Sequence, residues 1–153
     1  MSQAKTYYKI VRFFADKEDY DLAINALNKA INFEPECANA YCIRGSCYFE
    51  KEMFDKAIID IDKAIDIKPE TSAFYFNRGL TYFNLNKFNE AVANFNKAIS
   101  LGLKDAEVYS FRGESYSELG KFSEAERNFK EVALFGFLEE LLWKKVVLLA
   151  EED

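Results

Sequence analysis

The sequence predicts an all-α fold, a solenoid of stacked helix-turn-helix units, on three observations. The motif YxxRGxxY occurs at residues 41–48, 75–82 and 109–116, a strict 34-residue spacing. Residues downstream of each motif keep the same register, as Phe54, Phe88 and Phe122, then Ala57, Ala91 and Ala125, then Ile61, Phe95 and Phe129. Within one period the apolar and small residues recur at helical spacing, Tyr41, Gly45 and Tyr48 in a first helix and Phe54, Ala57, Ile61, Ala64 and Ile65 in a second. Self-similarity at a period of about 20–50 residues marks units that bury their apolar faces only by stacking on their neighbours.

The units follow in order. A diverged copy over about residues 4–37 keeps Tyr7, Phe14, Tyr20, Ala23, Leu27, Ala30 and Pro35, and three closer copies cover about 38–71, 72–105 and 106–139. Between the two helices of the second unit, Glu50, Lys51, Glu52 and Met53 make a polar turn, and Asp55 falls in the first turn of the helix that follows, where the helix dipole favours negative charge. Asp21, Asn89 and Ser123 hold the equivalent places. Gly45 and Gly79 fill no volume, and Ala57 and Ala91 little, so these positions predict close approach of the helix axes. Pro35 and Pro69 end their units because proline cannot continue the preceding helix, and Gly102 and Gly136 are expected to end the third and fourth. Residues 140–150 extend the pattern by one more helix, with Trp143 in the aromatic column, Val146 and Val147 in the next and Ala150 in the tyrosine column. Leu142, Trp143, Val146, Val147 and Leu149 then form a face suited to capping the solenoid. The whole chain, 1–153, reads as a single domain.

These columns resemble the tetratricopeptide repeat, whose pattern of aromatic, Leu-Gly, Tyr, Ala, Phe and Pro recurs at this same period. The resemblance covers about nine-tenths of the chain and implies a right-handed α-solenoid. Departures are Val11 in the first glycine column, Arg44, Arg78 and Arg112 in place of leucine, and Leu103 and Phe137 in place of the closing proline. An arginine repeated in one column predicts a structural contact repeated in each unit, its stem packed and its guanidinium bonded to second-helix residues such as Asp60, Asn94 or Asn128.

Composition excludes several classes of function. A net charge of −6 without a clustered basic run argues against nucleic acid as a partner. The longest apolar runs, 133–138 and 146–150, fall far short of the ~20 residues of a membrane span. No secretory signal opens the sequence, so a cytoplasmic location is expected, and Cys37, Cys42 and Cys47, five residues apart, fit a reducing compartment better than a disulfide framework or metal site. The absence of histidine removes His-containing triads and His-ligated metals. Glu139 and Glu140, adjacent on a helix, diverge by about 100° and make no catalytic pair. We expect no enzyme activity and no cofactor.

A non-enzymatic protein-interaction module is the expected function: an adaptor, co-chaperone-like factor or assembly scaffold. The resemblance implies that first helices line a concave groove holding a segment of a protein partner. Groove columns are Lys5, Tyr8, Lys9 and Arg12 in the first unit, Asn39, Cys42, Ile43, Ser46 and Phe49 in the second, Ala73, Phe76, Asn77, Leu80 and Phe83 in the third, and Glu107, Ser110, Phe111, Glu114 and Glu118 in the fourth. The groove would run from a basic entrance through an aromatic middle to an acidic exit, with Phe49, Phe76, Leu80, Phe83 and Phe111 as apolar anchors or as packing between first helices. In the subclass that clamps the acidic tail of heat-shock chaperones, three successive first helices supply lysine, arginine and asparagine. Here only Asn77 matches, while Ile43 or Glu107 would oppose a carboxylate, so that role is not expected. The competing reading is a self-association module: Leu141 and Leu148, seven residues apart, with Phe135, Phe137 and Leu138, would join two chains into a homodimer.

Overall fold

The computed structural model describes residues 19–150, and of residues 139–150 the backbone alone. Seven α-helices and no strand lie among the described residues: α1 (Tyr20–Phe33), α2 (Ala38–Glu50), α3 (Phe54–Ile67), α4 (Ser72–Asn84), α5 (Phe88–Ser100), α6 (Ala106–Glu118) and α7 (Phe122–Ala150). α1 is the second helix of the first unit, and α2/α3, α4/α5 and α6/α7 are the next three units. The closest packing is within a unit. Each second helix also meets the first helix of the next unit, and first helices of adjacent units touch.

The turn inside the second, third and fourth units has one geometry. Glu52, Asn86 and Gly120, each one period from the next, all have positive φ, at 56°, 57° and 70°. The following amides, Met53, Lys87 and Lys121, donate to Tyr48, Tyr82 and Tyr116 carbonyls at 2.8, 2.9 and 2.8 Å. This left-handed residue closing a helix with a six-residue hydrogen bond reverses the chain within three residues. Turns between units are looser. Gly102 has φ 97°, and the Asp105 side chain accepts from the Val108 amide at 3.0 Å to start α6.

Close approach inside the second, third and fourth units depends on glycine. A Cβ at Gly79 would sit 2.6 Å from the Phe95 ring, one at Gly113 2.8 Å from Phe129, and one at Gly45 3.0 Å from Ile61. Ala57 and Ala91 are fully buried on the facing helices. The expected function of these small residues is therefore what the packing shows.

The repeated arginine ties three helices together. Arg44 Nε and Nη2 each donate to Asp60 at 2.7 Å, and Nη1 donates to Asn28 Oδ1 at 2.6 Å. Arg78 bonds Asn94 at 2.7 Å and Asp62 at 2.5 Å, and Arg112 bonds Asn128 at 2.8 Å and Asn96 at 2.7 Å. Each guanidinium thus holds the second helix of its own unit and that of the preceding unit. Each also lies over the tyrosine three residues before it, 5.3 to 5.5 Å from the ring centre. The Asp60 hydrogen bond holds the Arg44 proton more tightly than usual, against the opposing effect of burial. The partners Asp60, Asn94 and Asn128 agree with the sequence reading. The column of Asn28, Asp62 and Asn96 was not anticipated.

The fourth unit departs from expectation. Gly136 ends nothing: α7 runs through it for 29 residues, to Ala150, and no separate helix starts at residue 140. Gly136 does not have positive φ, unlike Gly102 and Gly120. The cause lies in two neighbours. Phe137 stands in the column of Pro35 and Pro69, and Glu139 in the cap column of Thr71 and Asp105. With neither a breaker nor a short capping side chain, the helix continues. Val11 lies outside the described residues.

Two outcomes test this packing. Gly79→Ala should lower stability by about 1–3 kcal/mol through overpacking against Phe95, read as a lower denaturant midpoint at unchanged slope. Arg44→Met should cost about 3 kcal/mol, because it strands the buried Asp60 carboxylate, whereas Arg112→Met, which leaves only neutral amides, should cost about 1 kcal/mol. Equal losses in the two variants would show that charge is not what distinguishes these ties.

Candidate protein-interaction groove

First helices α2, α4 and α6 turn their tyrosine and glycine columns into their own units, which leaves the intervening positions facing the seams between units. The two seams differ. Between α4 and α6, Phe111 lies 5.5 Å from Phe83 and 6.4 Å from both Phe76 and Phe95, ring centre to ring centre, and Phe76 lies 5.9 Å from Phe95. These four rings fill that seam. Edge-on contacts of this kind add about 0.5–1.5 kcal/mol beyond burial. Phe76, Phe83 and Phe111 are accordingly half-buried, each both packing element and surface.

Between α2 and α4 the equivalent space is open. Asn77 occupies the column of Phe111, and Ile61 that of Phe95. Their smaller volume leaves a pocket of about 110 Å³ lined by Ser46, Phe49, Glu50, Ile61, Asn77, Leu80 and Thr81. Asn77 Nδ2 donates to Cys42 Sγ at 3.2 Å, dividing this pocket from a shallower hollow against Asn39, Cys42, Ile43 and Phe74. Ser46 and Thr81 hydroxyls donate to the carbonyls of Cys42 and Asn77 at 3.2 and 2.8 Å, which leaves their oxygens able to accept. Phe49 leans edge-on against Phe54 with centres 5.6 Å apart and forms one wall. Glu50 is exposed at the rim.

Of the anticipated groove residues, the structure brings Ser46, Phe49, Asn77 and Leu80 together at one pocket and Phe76, Phe83 and Phe111 into one aromatic cluster. Ile61, Thr81 and Glu50 join the pocket without having been anticipated. The first two sit in core columns, and the signal that exposes them is the small residue at 77. Glu107, Glu114 and Glu118 are exposed along α6, with Glu114 accepting from Ser110 Oγ at 3.2 Å. Lys5, Tyr8, Lys9 and Arg12, the expected basic entrance, lie outside the described residues. Of the residues assigned to self-association, Phe135 is half-buried with its ring 5.9 Å from that of Tyr109. It takes part in the packing of the fourth unit and keeps some exposed surface. Phe137 and Leu138 are exposed, and the side chains of Leu141 and Leu148 lie outside the described ones.

Burial raises the Cys42 thiol pKa, opposed by the Asn77 contact, and pushes that of Cys47 up to about 11, with Glu50 adding to the shift. Both thiols are therefore held in the unreactive protonated form at neutral pH. Among the described residues no cluster of His, Cys, Asp or Glu could hold a metal ion, and no helix is long and apolar enough to cross a membrane.

Known proteins share this architecture. One tetratricopeptide repeat model matches residues 38–70 and 72–102, and a second matches 4–37 and 106–133. A crystal structure of MamA is 25% identical and superposes with a TM-score of 0.82, over 90% of this chain and 80% of that one. MamA from Desulfovibrio magneticus RS-1, from residue 41 to its end, is similar in fold at 16% identity and TM-score 0.79, over 87% of this chain and 75% of that one. The first TPR domain of Spaghetti (RPAP3), solved with the HSP90 peptide SRMEEVD, is similar in fold at 23% identity and TM-score 0.74, over 78% of this chain and 96% of that one. No curated protein matches the sequence. With repeat models matching along most of its length and seven helices in the corresponding register, this chain belongs to the tetratricopeptide repeat family.

Proposed function

We propose that this protein is a non-enzymatic adaptor or assembly scaffold that holds an aliphatic anchor of a partner's peptide segment in the seam between α2 and α4. The observation that carries this reading is the pocket at Ser46, Phe49, Asn77 and Leu80, which the chain leaves open although it fills the next seam with Phe111. At about 110 Å³ it is smaller than the ~150 Å³ cavity that holds a benzene ring. An aliphatic side chain therefore fits better than an aromatic one. The Ser46 oxygen and the Asn77 amide offer hydrogen bonds to the peptide backbone, which set its direction while the apolar walls supply affinity.

A chaperone-tail clamp is not part of this proposal, although a neighbour in fold was solved with an HSP90 peptide. Asn77 is turned to Cys42, and Ile43 and Glu107 offer a carboxylate either no charge or the wrong one. The exposed glutamates on α6 favour a partner with basic residues at that end, and Lys5, Lys9 and Arg12 would receive acidic ones at the other. Three cysteines, of which Cys42 and Cys47 are buried, fit a reducing compartment, and we place the protein in the cytoplasm. Neither nucleic acid nor a membrane is proposed as a partner. Self-association is a second reading, favoured by the apolar residues exposed on α7, Leu134, Phe137 and Leu138.

Asn77→Phe copies the residue of the next seam and so should fill the pocket at little cost to the fold. Peptides selected against the native protein from a displayed library should share an aliphatic residue and lose at least about tenfold in affinity for this variant, roughly 1.4 kcal/mol. Retained affinity in a variant of native stability would move the binding site away from this seam. For the charged end, the triple change of Glu107, Glu114 and Glu118 to lysine should slow association with a basic peptide, and the loss should shrink as salt is raised. A penalty independent of ionic strength would show that these charges do not steer recognition.

A further inference from the structure

We propose that two copies of this chain pair through α7, the helices antiparallel and crossing at Gly136, so that residues 140–150 of each copy cover the open end of the other's fourth unit. This deepens the self-association reading and rests on it.

The first observation is an uncovered core column. Ile61 and Phe95 are 1% and 0% exposed because the next unit's first helix covers them, whereas Phe129, in the same column, is 41% exposed. A mainly apolar hollow lies along Phe122, Ala125, Phe129 and Ala133, where a fifth first helix would seat, with Ser117 and the ion-paired Glu126 and Lys130 also lining it. Phe122 is also uncovered, at 72%. Its counterparts Phe54 and Phe88 lean on Phe49 and Phe83, but the position before the last turn is Ser117.

The second observation is that this chain carries a helix suited to the hollow and holds it out of reach. Residues 140–150 place Leu142, Trp143 and Leu149 in the columns of Val108, Tyr109 and Ser115, and Val108 and Ser115 are fully buried against their neighbours. Yet α7 is continuous, and at 1.5 Å per residue its end lies about 20 Å beyond Gly136. It cannot fold back on its own Phe129. It can reach a second copy.

The third observation fixes the register. Along α7, Phe122, Phe129, Gly136, Trp143 and Ala150 recur every seven residues, the spacing that keeps one stripe facing a partner helix when the two wind around each other. Pairing two such stripes antiparallel about Gly136 sets Phe129 opposite Trp143 of the second copy, and Phe122 opposite its Ala150. The solenoid's own joints point to nearly the same centre. Phe95 stacks on Phe111 across the joint between the third and fourth units, a pair centred on residue 103. Its equivalent one period later, Phe129 with Lys145, is centred on residue 137, one residue from Gly136. A Cβ at Gly136 would meet nothing within 4 Å, so its flank is open to a close crossing. The resulting contact is isologous and closes at two chains, with each inter-unit joint made twice.

Light scattering on the full chain across a dilution series should give a dimer, and Trp143→Glu should halve the molar mass at unchanged helical content. Gly136→Cys should yield a disulfide-linked dimer under mild oxidation that the native protein, with its three cysteines, does not give. The double change Phe137→Pro with Glu139→Asp restores the breaker and cap of the other units. It should give a monomer in which residues 140–150 fold back, so that the emission of Trp143, the sole tryptophan, stays blue-shifted. A native protein that is monomeric at high micromolar concentration overturns both this pairing and self-association. A dimer that survives Trp143→Glu and the double change overturns the exchange of α7 alone and moves self-association to another surface. No covalent dimer from Gly136→Cys overturns the crossing point.

Discussion

The guanidinium shared between the second helices of two successive units is the constraint from which the rest of this solenoid follows. Helical hairpins packed through glycine and alanine could lean on one another over a range of angles, because apolar contact is not directional. Arg44, Arg78 and Arg112 remove that latitude. Each planar fork satisfies polar groups on two second helices, with its own tyrosine beneath it. Because every member is hydrogen-bonded, the half-buried polar layer specifies one stacking geometry at no cost in unsatisfied groups.

A fixed stacking angle turns single residue choices into changes of surface. Whether a seam is filled or open depends on one column, Phe111 in one case and Asn77 in the other. A flexible stack would relax over the difference, whereas a rigid one preserves it as a pocket. The groove of this protein is therefore not a uniform trough. It is a set of seams with separate contents, one aromatic and closed, one mixed and receptive, and one without a partner in its own chain at the C-terminal end.

Most of the architecture was legible in the sequence because it rests on local periodicity. The repeat register placed every described helix, the small residues at the tight contacts and one partner of each arginine. The second partner was legible in principle, since Asn28, Asp62 and Asn96 form their own column, but amides and acids on a helix surface carry no signal until a donor is known to face them. The break expected at Gly136 failed for a physical reason. A glycine ends a helix only where the neighbouring residues make leaving it favourable, and Phe137 and Glu139 do not. The candidate site was half legible. Its first-helix residues follow from the column, but the pocket arises from the volumes missing at positions 77 and 61, a comparison between units rather than a motif within one. Phe135 shows the converse, an apolar residue whose packing against Tyr109 the spacing did not reveal.

The three arginine ties are unequal. Those of Arg44 and Arg78 each include a carboxylate, Asp60 or Asp62, while Arg112 is held by two neutral amides. In a linear array whose stability is a sum of unit and nearest-neighbour terms, unequal joints give opening a direction. Across the joints themselves only Arg78 meets a carboxylate, Asp62, whereas Arg44 reaches Asn28 and Arg112 reaches Asn96; Asp60 lies in the same unit as Arg44. The joint between α2/α3 and α4/α5 is thus the one whose opening strands an ion, which makes partial unfolding of this molecule an ordered event that spares the receptive seam between α2 and α4 longest.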